Sequence, residues 1–214
     1  MGHHGAMSLR YDDVIGPLRA AYDDGAELRD TYGKAPWKLA ERETFLGRLR
    51  EHGCERLLEV GAGTGQDSVY FQENGLNVVA VDLSPAMVDR CRDKGLEAHV
   101  MDFLGLEFEP GSFDAVYAFN CLLHVPDGDL SAVLAAIRAV VRPGGLFFIG
   151  VYGGGSIVGE GLFEGDNHQP ARFFSFRDDD RLQEFAREFF DVVDFHAVGD
   201  GDGRSQSMTL RRPL

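Results

Sequence analysis

The chain is short of cysteine, of cations and of long apolar runs, and each shortage removes a class of protein. Its thiols are Cys54, Cys91 and Cys121, three among 214 residues. They are odd in number and scattered, with neither CxxC nor histidine-paired spacing, so they form neither a disulfide framework nor a zinc site. No metal centre is expected, and a reducing, cytoplasmic setting is. No apolar run approaches the ~20 residues that a membrane-spanning helix needs, so no membrane partner is expected. Lys and Arg number 21 against 35 Asp and Glu, a formal net charge of −14. Attraction to phosphate backbones draws on clustered cations, which excludes nucleic acid as a partner.

What the chain does have is enough length to bury one core, and alternating patterns that predict a single α/β domain over residues 1–214. The opening Met1-Gly-His-His-Gly-Ala-Met7 reads as an expression remnant, because no apolar stretch follows it. Leu39, Arg42, Phe45, Leu46 and Leu49 recur at helical spacing before Gly53, which predicts a helix ahead of the first strand. Ser84-Pro85 predicts the start of another helix, capped by Ser84. Helices are also expected over 127–141 and 178–188, and an antiparallel pair of strands over 189–198 and 205–211. The acids of the turn 199–204 invite a calcium reading, which the lack of a twelve-residue loop with its terminal Glu argues against.

The run Leu57-Leu-Glu-Val-Gly-Ala-Gly-Thr-Gly-Gln-Asp-Ser68 reads as strand, glycine loop and helix, and Val78-Val-Ala-Val-Asp82 as the next strand, ending in a carboxylate. Gly61, Gly63 and Gly65 allow a sharp turn and close approach of backbone to a ligand. Asp82 follows Gly65 by seventeen residues, near the spacing of about 20 at which an acid grips ribose hydroxyls in a nucleoside-binding βαβ unit. A dinucleotide fingerprint would read G-x-G-x-x-G. Here the loop reads G-x-G-x-G, Gln66 stands where the third fingerprint glycine would be, and Glu59 precedes it. A carboxylate at that point suits a cationic ligand better than a pyrophosphate, which disfavours a nicotinamide-dependent oxidoreductase.

An acid, an apolar residue and G-x-G-x-G make this segment similar to the first motif of the class I S-adenosylmethionine-dependent methyltransferases, small-molecule branch. The resemblance continues in order through Val100-Met-Asp102-Phe103, Phe113 to Val125 and Arg142-Pro-Gly-Gly-Leu-Phe-Phe-Ile149, covering residues 57–152. It implies a three-layer, doubly wound, mostly parallel seven-stranded sheet with an antiparallel C-terminal hairpin strand. It implies S-adenosyl-L-methionine as cofactor, S-adenosyl-L-homocysteine as product and a small-molecule methyl acceptor.

Residue by residue, the resemblance implies that Glu59, Gly61, Gly63 and Gly65 hold the methionyl part and that Asp82 holds the ribose. It implies that Leu83 and Met87 flank the adenine, that Asp102 faces its exocyclic amine and that Phe103 supplies a backbone donor or ring contact. Tyr32, Met101, Asn120 and Cys121 are further implied contacts. Residues 8–38 form an expected N-terminal cap, in which Lys38, or else Arg42, meets the methionyl carboxylate. Residues 153–177 form an expected substrate-side insertion able to act as a lid. His124, just after the fourth strand, is the candidate general base, ahead of His168, Glu160 and Asp166. With no further thiol near Cys121 in sequence, a metalloid acceptor is not expected. A noncatalytic protein that binds the same cofactor is the alternative of a different class, and monomer and homodimer both stay open.

Overall fold

The computed structural model describes residues 9–163, 166–199 and 203–214. The opening segment read as an expression remnant and the middle of the acidic turn lie outside the described residues. Strands β1 (Arg56–Val60), β2 (Asn77–Asp82), β3 (Glu97–Val100), β4 (Phe113–Phe119), β5 (Val141–Tyr152), β8 (Asp191–Val198) and β9 (Ser205–Arg211) form one sheet in the order β3-β2-β1-β4-β5-β9-β8. The first five run parallel, and β9 lies antiparallel between β5 and β8. This is the doubly wound sheet with a C-terminal antiparallel hairpin that the sequence predicts.

Period-2 alternation sends successive side chains to opposite faces of these strands, and buried apolar residues on both faces call for helices on both. Leu57, Val78, Ala115, Tyr117 and Phe148 pack with Phe45, Leu46 and Leu49 of α2 (Pro36–Glu51) and Phe71 of α3 (Gln66–Glu73). Their neighbours Leu58, Val79, Val116, Phe147 and Ile149 belong to the opposite layer, with α5 (Asp127–Val140) and α6 (Asp179–Arg187). Ala80 and Ala98 meet Val88 and Cys91 of α4 (Pro85–Asp93). Ser84 caps α4 as expected, accepting the Met87 amide at 3.1 Å.

Two segments gain structure that periodicity did not announce. Within the N-terminal cap, α1 (Tyr11–Asp30) runs for 20 residues and lays Tyr11, Leu18 and Tyr22 over the crevice between β1 and β4. Its Asp23 accepts from the Ser84 hydroxyl and, at 3.1 Å, from the Ala86 amide, while Asp30 pairs with Lys94 at 2.6 Å. At its start, the Tyr11 amide donates to Asp129 at 2.8 Å. In the 153–177 insertion, β6 (Gly159–Leu162) and β7 (Phe173–Phe176) pair as a small antiparallel sheet.

Candidate active site

Strand order reverses between β1 and β4: from β1 the chain builds outward through β2 and β3, then returns to β4 on the other side. In an open α/β sheet the crevice beyond the carboxyl ends of such strands is where ligands bind. Gly61 follows β1 there and Asn120 follows β4. Two adjoining cavities meet at this point, with about 570 and 1160 Å³ of free space, partly open to solvent. Gly61, Gly63, Asn120, His124, Tyr22 and Arg29 border both.

The glycine loop is forced by its neighbours. Gly61 has φ +66°, and a Cβ there would lie 2.4 Å from Cys121 Cβ, so only glycine lets the β1 and β4 loops touch. The loop is then tied to β2 by Asp82, whose two carboxylate oxygens accept the Gly63 amide at 2.8 Å and the Ser84 amide at 2.9 Å. Burial pushes this carboxyl up, opposed by those two N–H donors. A carboxylate offers about four lone-pair positions, so acceptor capacity remains for two hydroxyls.

Asp82, Leu83, Met101, Asp102, Phe103 and Cys121 all border the first cavity. Asp102 Oδ1 accepts the Leu104 and Gly105 amides, each at 2.8 Å. The Phe103 amide, one of the expected ligand contacts, instead donates to the Tyr11 hydroxyl at 3.3 Å. Tyr32, Lys38 and Glu59 border the second cavity.

Gly65 and Met87, two of the expected ligand contacts, border neither cavity. Gly65 is the left-handed N-cap of α3 and packs against Leu96 and Cys91, while Met87 is fully buried on α4. Arg42 is likewise turned away: it pairs with Asp67 at 3.0 Å and lies 3.7 Å over the Tyr70 ring. Lys38 Nζ sits 5.0 to 5.8 Å from the ring centres of Tyr152, Trp37 and Phe119.

Glu59 is buried and accepts from the Ser68 hydroxyl. Burial, and then the nearby Asp67, push its carboxyl up to about 8. Asp67 pairs with Lys34 at 2.8 Å and with Arg42 at 3.0 Å. The folded protein therefore keeps the Glu59 proton through neutrality, while the unfolded chain loses it near 4.5. Its contribution to stability is fully present below that lower value and lost as pH rises through about 8. Denaturant titrations should accordingly show Glu59→Gln gaining stability over wild type as pH rises across that window. The gain should be nearly absent at its acid end and grow by up to about 1.4 kcal/mol for each pH step of one inside it. A pH-independent difference would contradict a protonated Glu59.

His124 is buried with both ring nitrogens engaged. Nδ1 lies 2.7 Å from the Phe173 carbonyl and Nε2 lies 2.7 Å from the Tyr22 hydroxyl. A carbonyl only accepts, which assigns the ring proton to Nδ1 and makes Nε2 the acceptor of the Tyr22 O–H. Burial pushes the imidazole down to about 3. Arg172 donates to the same Tyr22 oxygen at 3.1 Å and is anchored by Asp166. Sequence reading missed Tyr22, Arg29, Lys34 and Arg172, which come from the N-terminal cap and the insertion and carry no local motif.

Asn120 supplies a test of the implied cofactor. It is the one non-glycine residue with positive φ among the described residues, at 54°, and its buried Oδ1 has no hydrogen-bond partner there. A residue with this backbone and an unpaired acceptor, bordering both cavities where they join, is a feature of ligand sites. With Glu59 and Asp82 on the same walls, the acceptor-rich lining fits an ammonium, a sulfonium and ribose hydroxyls. Among the described residues no cluster of His, Cys, Asp or Glu could hold a metal ion, and no helix is long and apolar enough to cross a membrane.

Comparison with known proteins agrees with this geometry. Residues 57–145 match the family described as "Methyltransferase domain". The chain is 38% identical over 155 residues to glycine N-methyltransferase of Mus musculus, covering 62% of this chain and 53% of that protein. It is 32% identical over 139 residues to malonyl-[acyl-carrier protein] O-methyltransferase of Serratia marcescens, covering 64% of this chain and 50% of that protein. The chain thus spans about half the length of these relatives. In three dimensions it resembles the Burkholderia thailandensis 1,6-didemethyltoxoflavin-N1-methyltransferase, solved with 1,6-didemethyltoxoflavin and S-adenosylhomocysteine. That likeness has a TM-score of 0.75 at 24% identity, over 98% of this chain and 93% of that one. Residues 57–145 are thus similar to a methyltransferase domain, and the sheet and helices around them have the fold of the class I S-adenosylmethionine-dependent methyltransferases.

Proposed function

We propose that the whole chain acts as a single-domain, S-adenosylmethionine-dependent methyltransferase on a small-molecule acceptor and releases S-adenosylhomocysteine. The observation that carries this reading is the convergence of Glu59, Gly61, Gly63, Asp82, Asp102 and Asn120 on one crevice at the strand-order switch, continuous with a second cavity. Three buried free thiols suit a reducing, cytoplasmic compartment.

In this reading Asp82 holds the two ribose hydroxyls, Asp102 the adenine amine, and Glu59 with Asn120 the ammonium of the methionyl group, Glu59 giving up its proton as the ammonium arrives. Lys38 takes its carboxylate. The bound cofactor supplies a methyl group already activated by its sulfonium. What remains for the protein is alignment of the acceptor, which in favourable intramolecular systems is worth roughly 7–11 kcal/mol. Tyr22, fixed between His124 and Arg172, lies on the acceptor side of the crevice. His124 is a positioning residue for the Tyr22 hydroxyl, because a buried imidazole held near pKa 3 is a poor proton acceptor at neutral pH.

Calorimetric titration with S-adenosylhomocysteine and with NAD, followed by an acceptor screen using methyl-labelled cofactor, tests the reading. S-adenosylhomocysteine should bind and NAD should not, and label should pass to a small acceptor. Binding of NAD alone would overturn the assignment. Binding of S-adenosylhomocysteine without transfer to any acceptor would point to a noncatalytic role. Once an acceptor is in hand, His124→Gln should lower kcat/KM while leaving the shape of the pH–rate profile unchanged. Loss of an acid limb would restore His124 as a base.

A further inference from the structure

The second cavity carries more positive charge than holding the cofactor calls for. Four cations border it: Arg29, Lys34, Lys38 and Arg172. Asp67 balances Lys34 at 2.8 Å, and Asp166 balances Arg172 at 2.7 Å. Arg29 and Lys38 form no ion pair among the described residues; Arg29 lies 5.1 Å over the Tyr22 ring, and Lys38 sits among its three aromatic rings. Neither contacts a carboxylate directly among those residues, although the Arg29 charge is felt by Asp82 across the first cavity, and both stand in a chain whose net charge is −14. S-adenosylmethionine brings one carboxylate against an ammonium and a sulfonium. It engages one cation and adds a further positive charge to the same space, and charges of one sign crowded into a partly desolvated cleft repel strongly. An anionic second ligand relieves that repulsion, whereas a neutral or cationic one leaves it.

Arg172 is the group prepared to meet such an anion. Asp166 engages its Nε and Nη2, at 3.2 and 2.7 Å, and Nη1 donates to the Tyr22 hydroxyl at 3.1 Å. A guanidinium has five N–H donors, so two stay without a partner among the described residues. The group lies 5.1 Å from the centre of the Phe174 ring and 5.3 Å from that of Tyr22, and its side chain is only 14% exposed. Burial would raise the Asp166 carboxyl, but its bonds to Arg172 outweigh that and hold it well below the usual carboxylate range, so the pair stays ionic. A guanidinium immobilised between two rings and a carboxylate receives a second planar carboxylate with little further loss of rotamer freedom.

We propose, resting on the methyltransferase reading above, that the methyl acceptor is a small carboxylate whose anionic end is held by Arg172, with Lys38 reserved for the carboxylate of the cofactor. Arg172 and Tyr22 thereby select the acceptor, and the reacting atom of that acceptor lies on its side away from the carboxylate.

The test is calorimetric and does not require turnover. Protein saturated with S-adenosylhomocysteine is titrated with acetate, glycine and benzoate and with the matching amides, acetamide, glycinamide and benzamide. At least one acid should bind about tenfold or more tighter than its amide. Arg172→Met should lose about tenfold to a hundredfold of that acid's affinity, and Arg172→Lys, which keeps the charge but not the fork, should fall between. Affinity for S-adenosylhomocysteine should stay within about threefold of wild type in both variants, which also reports that they fold. Acids and amides binding alike, or both failing to bind, would overturn the proposal, as would an acid preference unchanged in Arg172→Met. Failure of the wild-type protein to bind S-adenosylhomocysteine at all would instead remove the methyltransferase reading.

Discussion

Replacing Asp82 with alanine lowers the affinity for S-adenosylhomocysteine by about a hundredfold or more. Two ribose hydroxyls donating to one carboxylate are charge-assisted bonds, each worth roughly 1.5–3 kcal/mol, and about 1.4 kcal/mol is a factor of ten. The same carboxylate accepts the Gly63 and Ser84 amides, so its removal also unfastens the glycine loop from β2. Asp82→Asn should be nearly as damaging. With both oxygens already facing N–H groups, an asparagine must turn its NH2 toward either Gly63 or Ser84, donor against donor. Titration calorimetry of the two variants below their unfolding temperatures checks both statements, and retention of wild-type affinity by either would remove Asp82 from the ligand site.

Gly61→Ala should cost the ligand-free protein about 2–5 kcal/mol of stability. An L residue in the left-handed region loses roughly 1–2 kcal/mol, and overpacking adds about 1–3 kcal/mol. The overpacking here is severe, since the new Cβ would meet Cys121 Cβ at 2.4 Å and Sγ at 2.9 Å, and Cys121 cannot withdraw without moving Asn120. Gly63 is the internal control. It has a similar φ, +56°, but nothing within 4 Å of an added Cβ, so Gly63→Ala should lose only the backbone portion. Denaturant midpoints that order the variants the other way would show that contact with the β4 loop is not what demands glycine at position 61.

These two residues also mark how far the sequence could be read. Each element from β1 to α4 has a local signature: an apolar run, a glycine turn, a carboxylate at a strand end, a Ser-Pro cap. The positions of Glu59, Gly61, Gly63 and Asp82 follow from neighbours close in the chain, and all four border the two cavities. Gly65 belongs to the same motif yet faces Leu96 and Cys91, because a spacing pattern does not say which glycine serves a ligand and which serves packing. Arg42 and Lys34 illustrate the complementary limit. Both are cations near the start of α2, and only the position of Asp67 decides that they hold it jointly. Tyr22, Arg29 and Arg172 were illegible for another reason. They meet only when α1 and β7, some 150 residues apart at the Tyr22–Arg172 contact, are folded against the same crevice.

The fastening of α1 has a kinetic consequence. The nucleoside end of the crevice lies beneath a helix moored through Asp23 to the start of α4, through Asp30 to Lys94 and through Tyr11 to Asp129, whereas the other chamber is bordered by the exposed Tyr32. Traffic through the two mouths is therefore unequal. In the methyltransferase reading proposed above, the acceptor and its methylated form would exchange with the helix in place, while the spent nucleoside would wait for a mooring to slip. The expected order of turnover is then nucleoside first in and last out, and loosening Asp23 should quicken the final step.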